Sequence, residues 1–499
     1  MNVRDRMIYE GVMRILLNPT LSRISLKTLK EMIKKVIAES DSSGIPYMGE
    51  IKLQFLVAAL EQSVKNIQKG WFSTEYAKRV AETLVRNPLS DQRKEIRKAY
   101  LEKYGIESPG FCVVSPTQRC NLNCTGCYAA SSGKTPATLD YEVFRRLTRE
   151  MHDIIGARFM VISGGEPLLY KSNGKDLFDI LEGFKDMFFL FYTNGTLLND
   201  ETVARMLDLG NITPAISVEG YEKETDARRG KGIYARIMDS MERLRSSGVP
   251  FGISVTATSK NVHILLEDRF YDYYFDELGA TYMWMFHLMP IGRAKDTMDL
   301  MISPRQRVAL YHKFEKMLFE KKRFVGDFWN SAGASNGCIA YGRPGGFFYV
   351  DWNGNIPPCV FIPYYKDNIY DLYANGKTIV DALMSDFFAK GREWQSKYGF
   401  KQQAKHTHHE TTPKNWLAPC SGRDHYKYFR ENILDDSLKP EDENAAAALK
   451  DPEYYKRLVE FDEELEKLTQ PLWRTKYLGS IKKRPLSSRT QKEESFPAS

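Results

Sequence analysis

No apolar run in this 499-residue chain approaches the roughly 18 residues that a helix needs to cross a bilayer, and Leu53–Leu60 is far too short. A membrane-spanning helix is excluded. A signal peptide is absent too: Arg4, Asp5, Arg6 and Glu10 stand where its apolar core should begin. Cysteine is scarce, at seven, and the odd, partly clustered set suits metal binding better than a disulfide framework. These absences predict a cytoplasmic protein, with peripheral contact at the inner membrane face as the alternative. A large charge of one sign is missing as well, since 71 basic groups face 64 acidic ones for a net +7. Nothing in that balance points to nucleic acid; the local basic excess is in the tail, at Lys482, Lys483, Arg484, Arg489 and Lys492.

What is present is ordinary globular composition, 42% hydrophobic and 27% charged, over a length that predicts two or three folded units. Residues 1–108 read as helical. Ile24, Leu29, Ile33 and Val36/Ile37 recur at helical spacing with Lys27, Lys30, Lys34 and Lys35 between them, after a candidate N-cap at Ser25 and a break at Pro19. This basic amphipathic helix fits either packing on the main domain or contact through residues 1–40 with anionic lipid headgroups. Residues 109–320 alternate strand-like and helix-like stretches. The strands are Phe111–Val114, Phe159–Ile162, Phe188–Tyr192, Pro214–Val218, Gly252–Ala257 and Tyr282–Leu288. Six β–α units in series predict an α/β fold with a parallel sheet. Residues 321–430 are richer in Gly, Pro and aromatics, and Phe347–Asp351 followed by Asn353-Gly354 reads as a β-hairpin. Residues 431–499 read as a helical extension, notably Glu453–Leu468, ending in a basic, disordered tail.

Unusual residues recur after the strands, where barrel enzymes build their sites. Cys120, Cys124 and Cys127, spaced C-x3-C-x2-C, follow the first, and Gly164-Gly165-Glu166-Pro167 follows the second. Thr193-Asn194-Gly195 follows the third; Ser217 and Glu219 end the fourth, Thr256 and Thr258 the fifth, and Pro290-Ile291-Gly292-Arg293 follows the sixth. Three thiolates on a [4Fe–4S] cube leave one iron open, whereas four make an electron carrier. Zinc with a histidine is the rival for the triad, and no histidine lies near Cys127. Cys112, inside the first strand, reads as a small buried apolar residue.

The triad with its Gly-Gly-Glu-Pro loop resembles the radical S-adenosylmethionine (SAM) family. The resemblance implies a partial (β/α)6 TIM-like barrel whose [4Fe–4S] cluster, held by Cys120, Cys124 and Cys127, binds SAM at its open iron, cleaves it reductively and so removes hydrogen from an unactivated C–H bond. It implies SAM contacts from Gly164, Gly165, Glu166 and Pro167, from Asn194, Ser217, Glu219, Thr256, Pro290 and Gly292, and from Arg229 as a carboxylate ligand. One departure is Gly126, where the family usually has an aromatic residue; Tyr128 comes later. Cys338, Gly354 and Cys359 resemble the opening of the family's SPASM domain, and with Cys420 they match the shortened twitch form with one auxiliary [4Fe–4S] cluster, for which His406, His408 and His409 are candidate ligands. Flavodoxin- or ferredoxin-type proteins are the implied electron donors, and a peptide or protein side chain or a membrane lipid chain the implied substrate. The alternative is a non-catalytic iron–sulfur electron carrier or redox sensor.

Overall fold

A computed structural model of the chain describes residues 1–18, 22–40, 43–399 and 413–481. Pro19, His406, His408, His409 and the basic tail from Lys482 lie outside the described residues. The first hundred residues form five α-helices: Val3–Leu17 (α1), Ser22–Ser40 (α2), Pro46–Gln68 (α3), Thr74–Ala81 (α4) and Asp91–Tyr104 (α5). α2 begins three residues before Ser25, which therefore does not cap it. Its apolar stripe is spent inside the protein: Leu29 and Ile33 are buried, and the helix packs on α1 and α3. Lys27, Lys34 and Lys35 remain outward, together with Glu31 and Glu39. Among the described residues no helix is long and apolar enough to cross a membrane.

The α/β core is one parallel sheet of eight strands. They are Phe111–Val114 (β1), Phe159–Ile162 (β2), Phe188–Thr193 (β3), Ile212–Val218 (β4), Gly252–Ala257 (β5), Met283–His287 (β6), Val325–Asp327 (β7) and Phe347–Val350 (β8). Their order is β8-β1-β2-β3-β4-β5-β6-β7, so the two outermost strands leave the curl unclosed. The six strands expected from sequence are in place, and β7 and β8 extend the sheet past residue 320. Each strand is buried or half-buried along its whole length, as a sheet covered on both faces requires: Cys112 and Val114 are fully buried on one side of β1, while Phe111 and Val113 face the barrel interior. The helices are cut by ordinary caps. Asp140 accepts from the backbone N–H of Glu142 and Val143 to start Tyr141–Asp153, whose Phe144, Leu147 and Met151 form the buried stripe.

The hairpin expected at 347–356 is not built. Its turn forms, with Asp351 N–H donating to Asn355 O and Tyr349 N–H to Pro357 O. Pro357 and Pro358, however, have no N–H with which to continue a second strand. The strand Phe347–Val350 instead pairs in parallel with β1, Phe111 opposite Phe347 and Val114 opposite Val350.

Asp351, at the end of β8, is buried and shares a hydrogen bond with Glu441 of the C-terminal region. Burial raises both carboxyls, and the facing carboxyl raises Glu441 further. Folded pKa values above the unfolded ones mean that the native state binds more protons in between, so stability falls as pH rises from the ordinary carboxylate range to about 6. Glu441→Gln is expected to flatten that slope in urea denaturation curves measured from pH 4.5 to 7; an unchanged slope would place the titration elsewhere.

Candidate active site

The C-terminal strand ends converge on a cavity of about 750 Å³. Its wall contains Cys120, Cys124 and Cys127 from the loop after β1, Gly164 and Gly165 after β2, and Asn194 after β3. Ser217, Arg229 and Thr256 continue that wall, and Cys338, Cys359 and Cys420 meet the same space from the C-terminal region. Glu166, Pro167, Glu219, Pro290 and Gly292 do not line it.

The cysteine loop is clamped by three neighbours. Gly165 and Glu166 donate their N–H groups to Thr117 O (2.9 Å) and Arg119 O (2.8 Å). Arg293 donates its N–H to Cys127 O, and its guanidinium to Cys124 O and Ser131 O. Arg228 exchanges backbone and side-chain bonds with Thr125. A Cβ on Gly165 would lie 2.2 Å from Arg119 O, so the glycine is required by the approach of one loop to the other. Gly126 has φ +67°, a left-handed conformation that suits glycine rather than the aromatic residue usual there. Tyr128 is in the wall instead, accepting from Gly164 N–H at 3.2 Å.

Two carboxylates brace this wall from within. Glu166 is fully buried and accepts from Thr193 Oγ1 and Asn194 N–H, both at 2.8 Å; burial pushes it up to about 7. Both oxygens are thus committed to the third strand end. Glu219 Oε1 takes Arg228 Nη1 (2.6 Å) and Arg229 Nε and Nη2 (2.9 and 2.6 Å). Asn194 Nδ2 donates to Asn121 Oδ1 and stands 3.8 Å from Cys120 Sγ.

Around the second triad the charges are arginines. Arg307 holds Asp424 through two bonds of 2.5 and 3.1 Å, and Arg343 bonds Ser335 O and Gly337 O. Arg423 is fully buried over the rings of Trp329 (4.9 Å) and Phe461 (4.8 Å), and among the described residues none of its three nitrogens has a hydrogen-bond partner. At the end of β6, His287 stacks on Trp329 and pairs through Nε2 with Asp327 Oδ2 at 3.0 Å. Burial lowers the pKa of this histidine, and its Nδ1 has no partner among the described residues.

Residues 114–262, which hold the first triad and the loops after β2 to β5, match the Radical SAM superfamily model. The chain carries a radical SAM domain. Its relatives include an AdoMet-dependent heme synthase of Methanosarcina barkeri, 28% identical over 51% of this chain and 77% of that one. Another is the mycofactocin maturase MftC of Mycobacterium ulcerans, 29% identical over 56% and 74% respectively. Among solved structures, anSMEcpe with bound AdoMet aligns at a TM-score of 0.49 and 16% identity, over 75% of this chain and 100% of that one. That likeness is too distant to bear on function.

The radical SAM domain implies a [4Fe–4S] cluster and SAM, and the residues present fit the cluster. Burial raises the thiols of Cys120, to about 12, and of Cys124, Cys338, Cys359 and Cys420, so each keeps its proton until a metal replaces it. Among the described residues no three Cys, His, Asp or Glu side chains close on a single ion. A cube differs, because each cysteine ligates its own iron at its own corner. The unpartnered Arg423 donors behind Cys420 likewise suit a site that receives an anionic group.

Arg228, His287 and Asp327 were not singled out from sequence. His287 could have been, because it too is a last strand residue facing the same space. Gly165→Ala drives a methyl into Arg119 O, and overpacking of this kind costs about 1–3 kcal/mol. A lower thermal midpoint together with incomplete iron loading is expected from that variant; wild-type values for both would mean the loop has room.

Proposed function

We propose that this radical SAM enzyme removes hydrogen from an unactivated C–H bond of a hydrocarbon-rich substrate, a membrane-lipid chain, held inside the barrel. The cavity carries the reading. It begins at the two cysteine triads and continues between the strands to Phe111, Phe159 and Trp284 at the opposite end of the sheet. Strands of four to seven residues give it a depth of roughly 13–23 Å. Its wall along that depth is mainly aromatic and aliphatic, with Lys52 beside Ile37, Phe55 and Leu56, and Ser217, Ser254 and Thr256 lie toward the cysteine end. That gradient matches a polar cofactor above an apolar chain.

Cys120, Cys124 and Cys127 would hold the cluster, which when bound supplies the electron that splits SAM and so yields the radical that takes hydrogen. Asn194 and Ser217 offer hydrogen bonds to SAM. Arg229 is fixed by Glu219 through Nε and Nη2, which leaves Nη1 for the methionyl carboxylate. Cys338, Cys359 and Cys420 would hold the auxiliary cluster, and a flavodoxin or ferredoxin would supply electrons. Lys27, Lys34 and Lys35 would meet an anionic membrane surface, each contributing about 1 kcal/mol. A second reading, a peptide side chain as substrate, draws on relatives named mycofactocin maturase and sporulation killing factor maturation protein.

Anaerobic turnover with dithionite, SAM and either a perdeuterated lipid extract or a perdeuterated peptide fraction separates the two. Deuterated 5′-deoxyadenosine is expected from the lipid arm. Val161→Trp, which fills the cavity at mid-depth, is expected to cut that transfer about tenfold or more while leaving substrate-independent SAM cleavage. Deuterium arriving only from the peptide arm would overturn the lipid reading.

A further inference from the structure

The wall behind the second triad contains three arginines and three carboxyl groups, and the pairing among them is unequal. Asp462 accepts from Tyr426 N–H, and burial raises its carboxyl well above the ordinary range, toward the uncharged form. Asp424 is held by Arg307 through both oxygens. Asp327 accepts from His287, from the Trp329 and Asn330 N–H groups, and from Asn330 Nδ2. Arg343, beside Cys338, bonds two backbone carbonyls. Arg423 alone of the three has no acceptor among the described residues: Asp424 Oδ1 stands 3.9 Å from its Nε and is already bonded to Arg307. It is fully buried, held between Trp329 and Phe461, and three residues from Cys420, whose thiol feels its charge. A buried guanidinium without an acceptor is costly unless something anionic completes the site. The neutral neighbours offer nothing: His287 and His425 are buried, and burial lowers both, toward the uncharged form.

We propose that Arg423 is the positioning charge of the second cluster, raising the reduction potential of the iron–sulfur group held by Cys338, Cys359 and Cys420. The inference rests on the reading of those cysteines as an auxiliary site. Its physics is that reduction adds negative charge to the cluster, and a fixed cation in a low-dielectric wall favours the more negative form. Charge rather than shape is therefore the property that matters at this position.

The test is a potentiometric titration, followed by electron paramagnetic resonance, of the full-length chain reconstituted anaerobically with iron and sulfide. The second signal is assigned by its loss in Cys359→Ala. Arg423→Met and Arg423→Gln are expected to lower its midpoint by about 59 mV or more, a tenfold change in the oxidised-to-reduced ratio for one electron, while Arg423→Lys keeps it and the first signal stays in place. Either neutral variant that folds with its full iron content suffices. A second midpoint unmoved in that variant, or both midpoints moving together, would overturn the role of Arg423 and leave the second site standing. No signal lost in Cys359→Ala would instead remove the second site, and this inference with it.

Discussion

The contact on which the rest of the site depends is backbone against backbone, where the loop after β2 lies on the cysteine loop after β1. With Gly165 N–H on Thr117 O and Glu166 N–H on Arg119 O, the two loops meet as closely as two strands do. Side chains are excluded from that contact, and the position of Cys120 relative to the rest of the barrel follows from it. The other loops act on the same object: Arg293 from beyond β6 and Arg228 from beyond β4 both bond its carbonyls. Three thiols must reach three corners of one cube, so a loop this short has to be held by its neighbours. Rigid strand ends supply that hold.

The unclosed sheet has a second consequence. In a closed eight-stranded barrel, layers of inward side chains fill the interior. Here β7 and β8 do not pair, and the inward positions alternate between large residues on β1, β2 and β6 and small ones on β4, β5 and β7. Ser217, Ser254 and Gly326 leave space that Val113, Phe159 and Phe286 bound on the other side. A cavity, not a packed core, results. The segment carrying Cys338 and Cys359 joins the fold through β8, so the second triad is fixed to the same sheet as the first.

Short apolar runs between helical stretches made the six central strands legible, because each is buried along its length and has no competing helical pattern. β7 was not legible: three residues, Val325-Gly326-Asp327, carry no pattern, and their pairing is decided by β6 beside them. β8 was legible as a strand but not as a partner of β1, since Asn353-Gly354 is a true turn signal and only the two prolines after it deny the hairpin its return bonds. The amphipathic reading of α2 was correct in pattern and open in meaning; the pattern says one face is apolar, and only tertiary contact says that α1 and α3 cover it. For the site, the strand-end rule found Gly164, Gly165, Asn194, Ser217 and Thr256, which line the cavity, and missed His287, which lines it too. It could not separate them from Glu166 and Glu219, whose carboxylates turn back into the wall.

That separation is electrostatic. A carboxylate at a strand end can face a ligand or neutralise the protein's own donors, and burial decides between them, because a buried acceptor with N–H groups in reach is satisfied before any ligand arrives. Glu166 meets Thr193 and Asn194, and Glu219 meets two guanidinium groups. Among the described residues Glu219 Oε2 keeps no partner of its own, and the unsatisfied groups at the two triads include raised thiols with no cation and a guanidinium with no acceptor. Neutral thiols and a lone cation cannot complete each other, since the thiols must first lose their protons. Iron does that, and the resulting thiolates are what bring negative charge to the wall. The protein's own groups thus come closest to balance when the cysteines are metallated, which ties folding of the cavity wall to loading of the metal.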